Sequence, residues 1–370
     1  MQSRMDRYQS FLVNEYRKGF LKPEEYSLDE VTDDLRLKMR SGKFKRVVFT
    51  GMGCSAIVSD VVAAFFNSMD SGLEFHVLND YDHRYLMPRS VMEDEATLII
   101  VSSYSGHSNE PVHVFHNLAD AHDRMLLLTS GGRLGELGRE AGVSIARWEL
   151  SEPDREYPLF HVGQYFAILL DMFLGLGLID EDHREEVSRL PGHLDTDFTD
   201  THRQLARTLA ERSQDANVIM LASPKWHESL LKLAKMHLNE IAMVPAARNF
   251  FHEFCHSEVA TLSDPVRKHS VVIFEDDDED AYTKAKTDNL VALLTSDRPE
   301  NRNIEVTRVA LTEPTFMRKY FTALELVQYM TLDLGRARET ASRELISEAA
   351  GNPWYHGDTI RSEEAGRQDR

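Results

Sequence analysis

Cysteine is scarce: the 370 residues hold two, Cys54 and Cys255. Two thiols cannot build a disulfide framework, and such scarcity fits a reducing compartment. Long apolar runs are missing too, and none approaches the roughly 18 residues of a membrane-spanning helix. No charged segment followed by an apolar stretch opens the chain, so the expected location is cytoplasmic. Positive charge is in short supply: 42 Lys and Arg stand against 61 Asp and Glu, a net charge of −19. A field of that sign disfavours nucleic acid and anionic membrane as partners. An anionic small molecule would need a local, preorganised pocket. No lysine occurs after Lys319.

What is present reads as an ordinary globular chain, 42% hydrophobic and 28% charged, with length enough for two domains. The first 40 residues suggest two amphipathic helices, the second carrying Leu28, Val31, Leu35, Leu37 and Met39. From Arg46, short apolar runs alternate with helix-length segments. The runs are RVVFT (46–50), LEFHVL (73–78), TLIIVSS (97–103), RMLLLTS (124–130) and VSIARW (143–148). Strand and helix at this spacing imply βαβ units and a parallel sheet covered on both faces. A long helix is expected over 159–176. The charged, Pro/Gly-interrupted stretch 179–195 then marks the expected boundary.

The second half repeats the plan with strands at 217–223, 270–276 and 304–309 and helices over 224–242, 279–294, 314–334 and 338–350. The expected division is 1–185 for the N-terminal helices and first domain, 186–350 for the second domain with its C-terminal helices, and 351–370 for a loose tail. The acidic run EDDDED (275–280) reads as a helix cap or a solvated loop, and no metal site is expected.

Two junctions carry the chemistry. Strand RVVFT runs into GMGCSAI (51–57), where Gly51 and Gly53 allow a tight turn and Ser55 lies at a helix start. Strand TLIIVSS ends in SYSGHSNEP (103–111), offering Ser103, Ser105 and Ser108 on a turn that Gly106 permits. Such junctions, at the carboxyl ends of successive strands, are where an open α/β sheet binds ligands. Serine and glycine also simply make good turns and N-caps. No P-loop lysine follows the first turn, which argues against a nucleotide.

GMGCSAI resembles the GMGGSAI turn, and SYSGHSNEP the SYSGNTEET turn, of the sugar-isomerase (SIS) fold. LLTSGGRLGELGREAGV (127–143) is similar to that fold's next strand, turn and helix. The resemblance implies an α/β chain of two tandem SIS domains, each a parallel-sheet, three-layer αβα sandwich. It also implies that Gly53, Ser55, Ser103, Ser105 and Ser108 hold the phosphate of a sugar phosphate. Cys54 stands where that pattern has glycine.

A second segment, KMHLNEIAMVPAARNFFHEFCHSEVATL (235–262), places Glu240 at a helix end and His256 beyond the break at Pro245. Aldose–ketose isomerisation asks for a carboxylate to move a proton between C1 and C2, and for an imidazole to open the sugar ring. It also asks for a positive group to steady the enediolate. Asn239, Glu240, Val244, Pro245, Ala246, Asn249, Glu253, His256 and Glu258 resemble the signature of the bifunctional phosphoglucose/phosphomannose isomerases. That resemblance implies Glu240 as the C1–C2 base, His256 as the ring-opening group, and a homodimer in which His256 comes across the interface. HEFCH (252–256) also fits the zinc-peptidase pattern HExxH, but no third-ligand pattern follows.

Two positions depart from the family. Leu159 occupies the place of its arginine, with Arg155 four residues earlier, and Ala350 aligns with its lysine. Arg248, Arg336, Arg338 and Arg343 are the other cations to consider. The expected function is interconversion of glucose 6-phosphate or mannose 6-phosphate with fructose 6-phosphate through a cis-enediol, with no cofactor. A non-catalytic or regulatory phosphosugar-binding protein, or an isomerase of another sugar phosphate, is the alternative.

Overall fold

The computed structural model describes residues 4–10, 12, 25–69, 71–80, 82–149 and 158–343. Its first sheet has six strands: Tyr26–Ser27 (β1), Arg46–Gly51 (β2), Glu74–Asn79 (β3), Thr97–Ser102 (β4), Met125–Thr129 (β5) and Ser144–Trp148 (β6). They lie in the order β1-β6-β5-β4-β2-β3. All pairs are parallel except β1–β6, where two residues at the edge run antiparallel. Every residue of β4 and β5 is buried, as a sheet with two covered faces requires. Side chains alternate in the usual way. Phe49, Leu98, Ile100 and Leu126 face one core, while Val48, Ile99, Val101 and Leu127 face another with Val114 and Leu134.

The second sheet has four parallel strands: Asn217–Ala222 (β7), Ala246–Phe250 (β8), His269–Asp276 (β9) and Ile304–Leu311 (β10), ordered β10-β9-β7-β8. Val218, Met220, Val272 and Phe274 face a core continuous with that of the first sheet. Ile219, Leu221, Val271 and Ile273 face the opposite way, onto Phe251, Phe254 and Leu262. Between the sheets lie the helices Val162–Leu176 and Phe316–Ala337, joined edge-on where Phe166 meets Phe321 at 5.6 Å. The α/β architecture with parallel sheets is the one expected.

Several elements differ from expectation. The second N-terminal helix is Asp33–Arg40, starting after Leu28 and Val31 because Thr32 caps it through Leu35 N–H. The stretch expected to be a boundary is itself a helix, Arg184–Asp197, which carries Pro191 inside and buries Val187, Leu190 and Leu194. Apolar spacing outweighs the proline there. Strand β8 was not foreseen. The segment 224–240 is one helical rod with a wide turn at His227–Leu231. Of the expected helix over 338–350, the described part is a short turn, Thr340–Ser342. Arg155, Ala350 and the tail 351–370 lie outside the described residues.

Candidate functional site

In the first sheet the chain passes from β2 to β3 on one side and places β4 on the other. The crevice between the carboxyl ends of β2 and β4 is therefore a topological switch point, where ligands bind in open α/β sheets. Gly51 and Ser102 pair there as the last residues of their strands. Beyond them, Gly53 starts the helix Gly53–Asn67 at φ +56°, and Ser108 caps the helix Asn109–Asn117. Two helix N-termini thus present unpaired N–H groups to one crevice.

The serine turn is held from below. Ser103 N–H donates to Leu128 O at 3.0 Å, Ser130 N–H to Tyr104 O at 2.9 Å and Leu134 N–H to Gly106 O at 2.9 Å. Gly106 sits at φ +68°, and a Cβ there would lie 1.9 Å from Gly131 O. Ser55 Oγ accepts from Tyr104 N–H at 3.2 Å, and Ser105 Oγ accepts from His107 N–H at 3.3 Å. Each of these hydroxyls keeps its proton to donate. Ser108 makes no side-chain cap bond. Ser55, Ser103, Ser105 and Ser108 line one cavity of about 220 Å³, together with Cys54 and Tyr165. The structure brings together the four serines singled out from the sequence. Tyr165 and Ser102, which also line the cavity, had no signal in the sequence, because both sit in apolar runs.

From the second half, Glu240 comes near one residue of that lining, Cys54. It is the last residue of the helix Lys232–Glu240, which runs antiparallel to Gly53–Asn67. Lys232 Nζ donates to Asp60 Oδ2 at 2.5 Å, and at the other end Glu240 lies close enough to Cys54 to act on its charge. Burial pushes the Cys54 thiol up, and Glu240 adds to the shift. The helix end is fixed by Thr340 Oγ1, which donates to Ile241 O at 2.7 Å. Met243, at φ +52°, turns the chain towards β8. A larger cleft of about 500 Å³ opens further along, beside Asp60 and Glu228. Those carboxylates are already paired with Lys232 and Arg248.

His256 is not brought to Glu240 within the chain. It is exposed in the turn after Phe251–Phe254, with its N–H donating to Glu253 O at 2.9 Å. Phe251 and Phe254 pack on the far face of the second sheet, whereas Leu238 and Ile241 beside Glu240 pack on the near face. The helix carrying His252 ends at Phe254, and His252 Nε2 is tied to Thr283 Oγ1 at 3.0 Å. Among the described residues these histidines join no group of three possible metal ligands.

Asp276, Asp277 and Asp278 do form such a group. Its charge is met by Lys319, whose buried ammonium donates to Asp276 at 2.6 Å, to Asp278 at 2.7 Å and to Asp277. Trp226 Nε1 and Lys225 add bonds to Asp276. Against the upward push of burial, Lys319, the Asp278 backbone N–H and Lys225 hold its pKa at about 2. Asp280 caps the next helix through Tyr282 and Thr283 N–H, as the sequence suggested.

Leu159, at the place of the family arginine, is fully buried in the shared core. The nearby His237 is fully buried with neither ring nitrogen hydrogen-bonded, and burial lowers its pKa to about 3. The other arginines are engaged elsewhere. Arg248 holds Glu228 and His227 O, Arg336 holds Asp333, Arg338 donates to Gln214 O and Arg343 to Arg338 O. Among the described residues, those lining the serine cavity include no Lys, Arg or His.

Residues 202–344 match the bacterial phospho-glucose isomerase C-terminal SIS domain. The chain is similar to the bifunctional phosphoglucose/phosphomannose isomerase of Caldicellulosiruptor bescii, 26% identical over 251 residues, covering 66% of this chain and 70% of that protein. The protein of the same description from Thermoplasma volcanium is 26% identical over 252 residues, covering 68% and 74%. Among solved structures, the C-terminal domain of glucosamine-fructose-6-phosphate aminotransferase from Francisella tularensis aligns with a TM-score of 0.60 at 13% identity, covering 91% of this chain and 97% of that one. Glucosamine-6-phosphate deaminase from Thermotoga maritima aligns with a TM-score of 0.55 at 14% identity, covering 84% and 94%. The likeness to the bifunctional phosphoglucose/phosphomannose isomerases, read first from the motifs, is borne out, as is the SIS fold.

Proposed function

We propose that this protein is a phosphosugar isomerase that interconverts glucose 6-phosphate or mannose 6-phosphate with fructose 6-phosphate through a cis-enediol. The observation that carries the reading is the gathering of four serines in one cavity at the switch point of the first sheet, with Glu240 near enough to Cys54 in that lining for its charge to act there. Hydroxyl donors and two helix N-termini suit a phosphate there. Glu240 then moves the proton between C1 and C2. His256 opens the ring from a second copy of the chain, a reading supported by the packing of Phe251 and Phe254, just before it, on the far face of its own sheet. No metal or organic cofactor enters this scheme.

Leu159 favours a second reading, a phosphosugar-binding protein without turnover. An enediolate donor is typically worth about 10²–10³ in rate, and a buried leucine supplies none. A coupled assay of both aldose phosphates separates the two. Turnover that Glu240→Gln reduces by at least about a hundredfold supports the isomerase. Binding without turnover in the unaltered protein supports the second reading.

A further inference from the structure

Ser55 and Ser105 each accept a backbone N–H and keep a proton to donate. Two other residues of the same wall carry buried hydroxyls with no partner. Tyr165 and Ser102 are each only 1% exposed, both line the serine cavity, and neither hydroxyl oxygen is hydrogen-bonded. Their environments differ from those of ordinary turn hydroxyls. Tyr165 stands on the helix Val162–Leu176, with its ring held 4.3 Å from that of Trp148 and 5.9 Å from that of Tyr104. Ser102 ends β4 opposite Gly51. A rigid, desolvated hydroxyl without a partner is costly, and a fold keeps one where a ligand completes it.

The ligand class follows from the donors. Tyr165 stays protonated because burial opposes the phenolate, and the neighbouring Tyr104, Cys54 and Glu25 oppose it further. It is therefore a permanent O–H donor at working pH. Ser55, Ser103, Ser105 and Ser108 add hydroxyls, and the described residues of the lining include no cation. A site built of neutral donors around helix N-termini fits a group rich in acceptors, such as a tetrahedral oxyanion.

We infer that Tyr165 is a substrate-contacting residue, its hydroxyl and that of Ser102 donating to the phosphate oxygens of the bound sugar. The inference rests on the phosphosugar reading and adds a deeper tier to the serine turn. Tyr165 supplies, as a neutral dipole, part of what a cation supplies elsewhere. Tyr165→Phe keeps the ring packing and removes the unpartnered oxygen, so the free protein should melt at the same temperature or higher while ligand binding weakens. That opposition of signs is not expected of a merely structural tyrosine.

The test is titration calorimetry of the full chain with inorganic phosphate and with glucose 6-phosphate, for wild type, Tyr165→Phe and Ser102→Ala. Tyr165→Phe should weaken both ligands by about ten- to a hundredfold and raise KM more than it lowers kcat. Should Tyr165→Phe melt well below wild type, Ser102→Ala carries the same comparison. Wild-type affinity for both ligands in both variants overturns the inference and leaves the phosphosugar reading standing. Loss for the sugar phosphate with phosphate affinity intact also overturns it, because the contact would then be to the sugar. No binding of either ligand by wild type overturns the inference and the reading together.

Discussion

Asp80 directly follows β3, whose last residue, Asn79, pairs with Gly51 at the serine turn. Its carboxyl is buried with neither oxygen hydrogen-bonded. Burial pushes its pKa up to about 7, and the charges of Glu110 and Asp82 push the same way. Between about pH 4 and pH 7 the folded chain thus keeps a proton that the unfolded chain releases, so stability falls as pH rises through that window. Asp80→Asn removes the titration. Its unfolding free energy should exceed that of wild type by a few kcal/mol at pH 8, and the gap should shrink towards pH 4. Urea denaturation at the two pH values measures it, and a gap independent of pH would count against the buried acid. Nothing in the sequence marked Asp80 apart from its acidic neighbours. The four serines were legible because turn, glycine and strand end lie within a few residues of one another, whereas burial at Asp80 is set by distant chain.

The two sheets use the same kind of crevice differently. In the second, β7 also lies between strands placed on either side, and its switch point faces the end of β9 at Asp276. There Lys319 and Trp226 fill the carboxyl's bonding capacity, so that crevice is closed by an internal ion pair. The first crevice stays open because Gly106 lets the serine turn lie against Gly131. Gly106→Ala meets both a positive φ and a carbonyl at 1.9 Å, so the turn must move. We expect a loss of roughly 1–3 kcal/mol in stability and loss of the melting shift caused by sugar phosphate. Gly72→Ala, at φ +69° with open space around it, is the control that carries the backbone strain alone. Retained ligand response in Gly106→Ala would mean the turn is not the phosphate site. Parallel strands with continuous apolar runs were legible in the sequence. Strand β8 was not, because its five residues are mostly half-exposed and show neither a run nor an alternation. Nor was the helix over Arg184–Asp197, where Pro191 and Gly192 suggested a break.

At the scale of the molecule, the antiparallel helices bearing Cys54 and Glu240 join the halves, while the residues flanking Glu240 and those just before His256 pack on opposite faces of the second sheet. In the proposed scheme two copies of the chain supply these groups. Glu240→Gln and His256→Ala should each be inactive alone, and a refolded mixture should regain up to about a quarter of wild-type activity for a random dimer. A mixture as inactive as its parts would place both groups in one subunit or remove one of them from the chemistry. The sequence carried this pairing only through its likeness to a family, since fifteen intervening residues say nothing of which face each group occupies. Against the net charge of −19, the described residues lining the serine cavity carry no carboxylate, consistent with a small anion held by donors and dipoles.

The central claim is that Glu240 carries a proton between C1 and C2 of a phosphohexose held at the serine cavity. Proton NMR of fructose 6-phosphate incubated with the protein in D2O tests it most directly. The account predicts that an aldose 6-phosphate appears with deuterium at C2 in at least part of the product, and that Glu240→Gln yields neither signal while still binding the sugar. Aldose formed equally fast by Glu240→Gln, or bound sugar that wild type never converts, would contradict it.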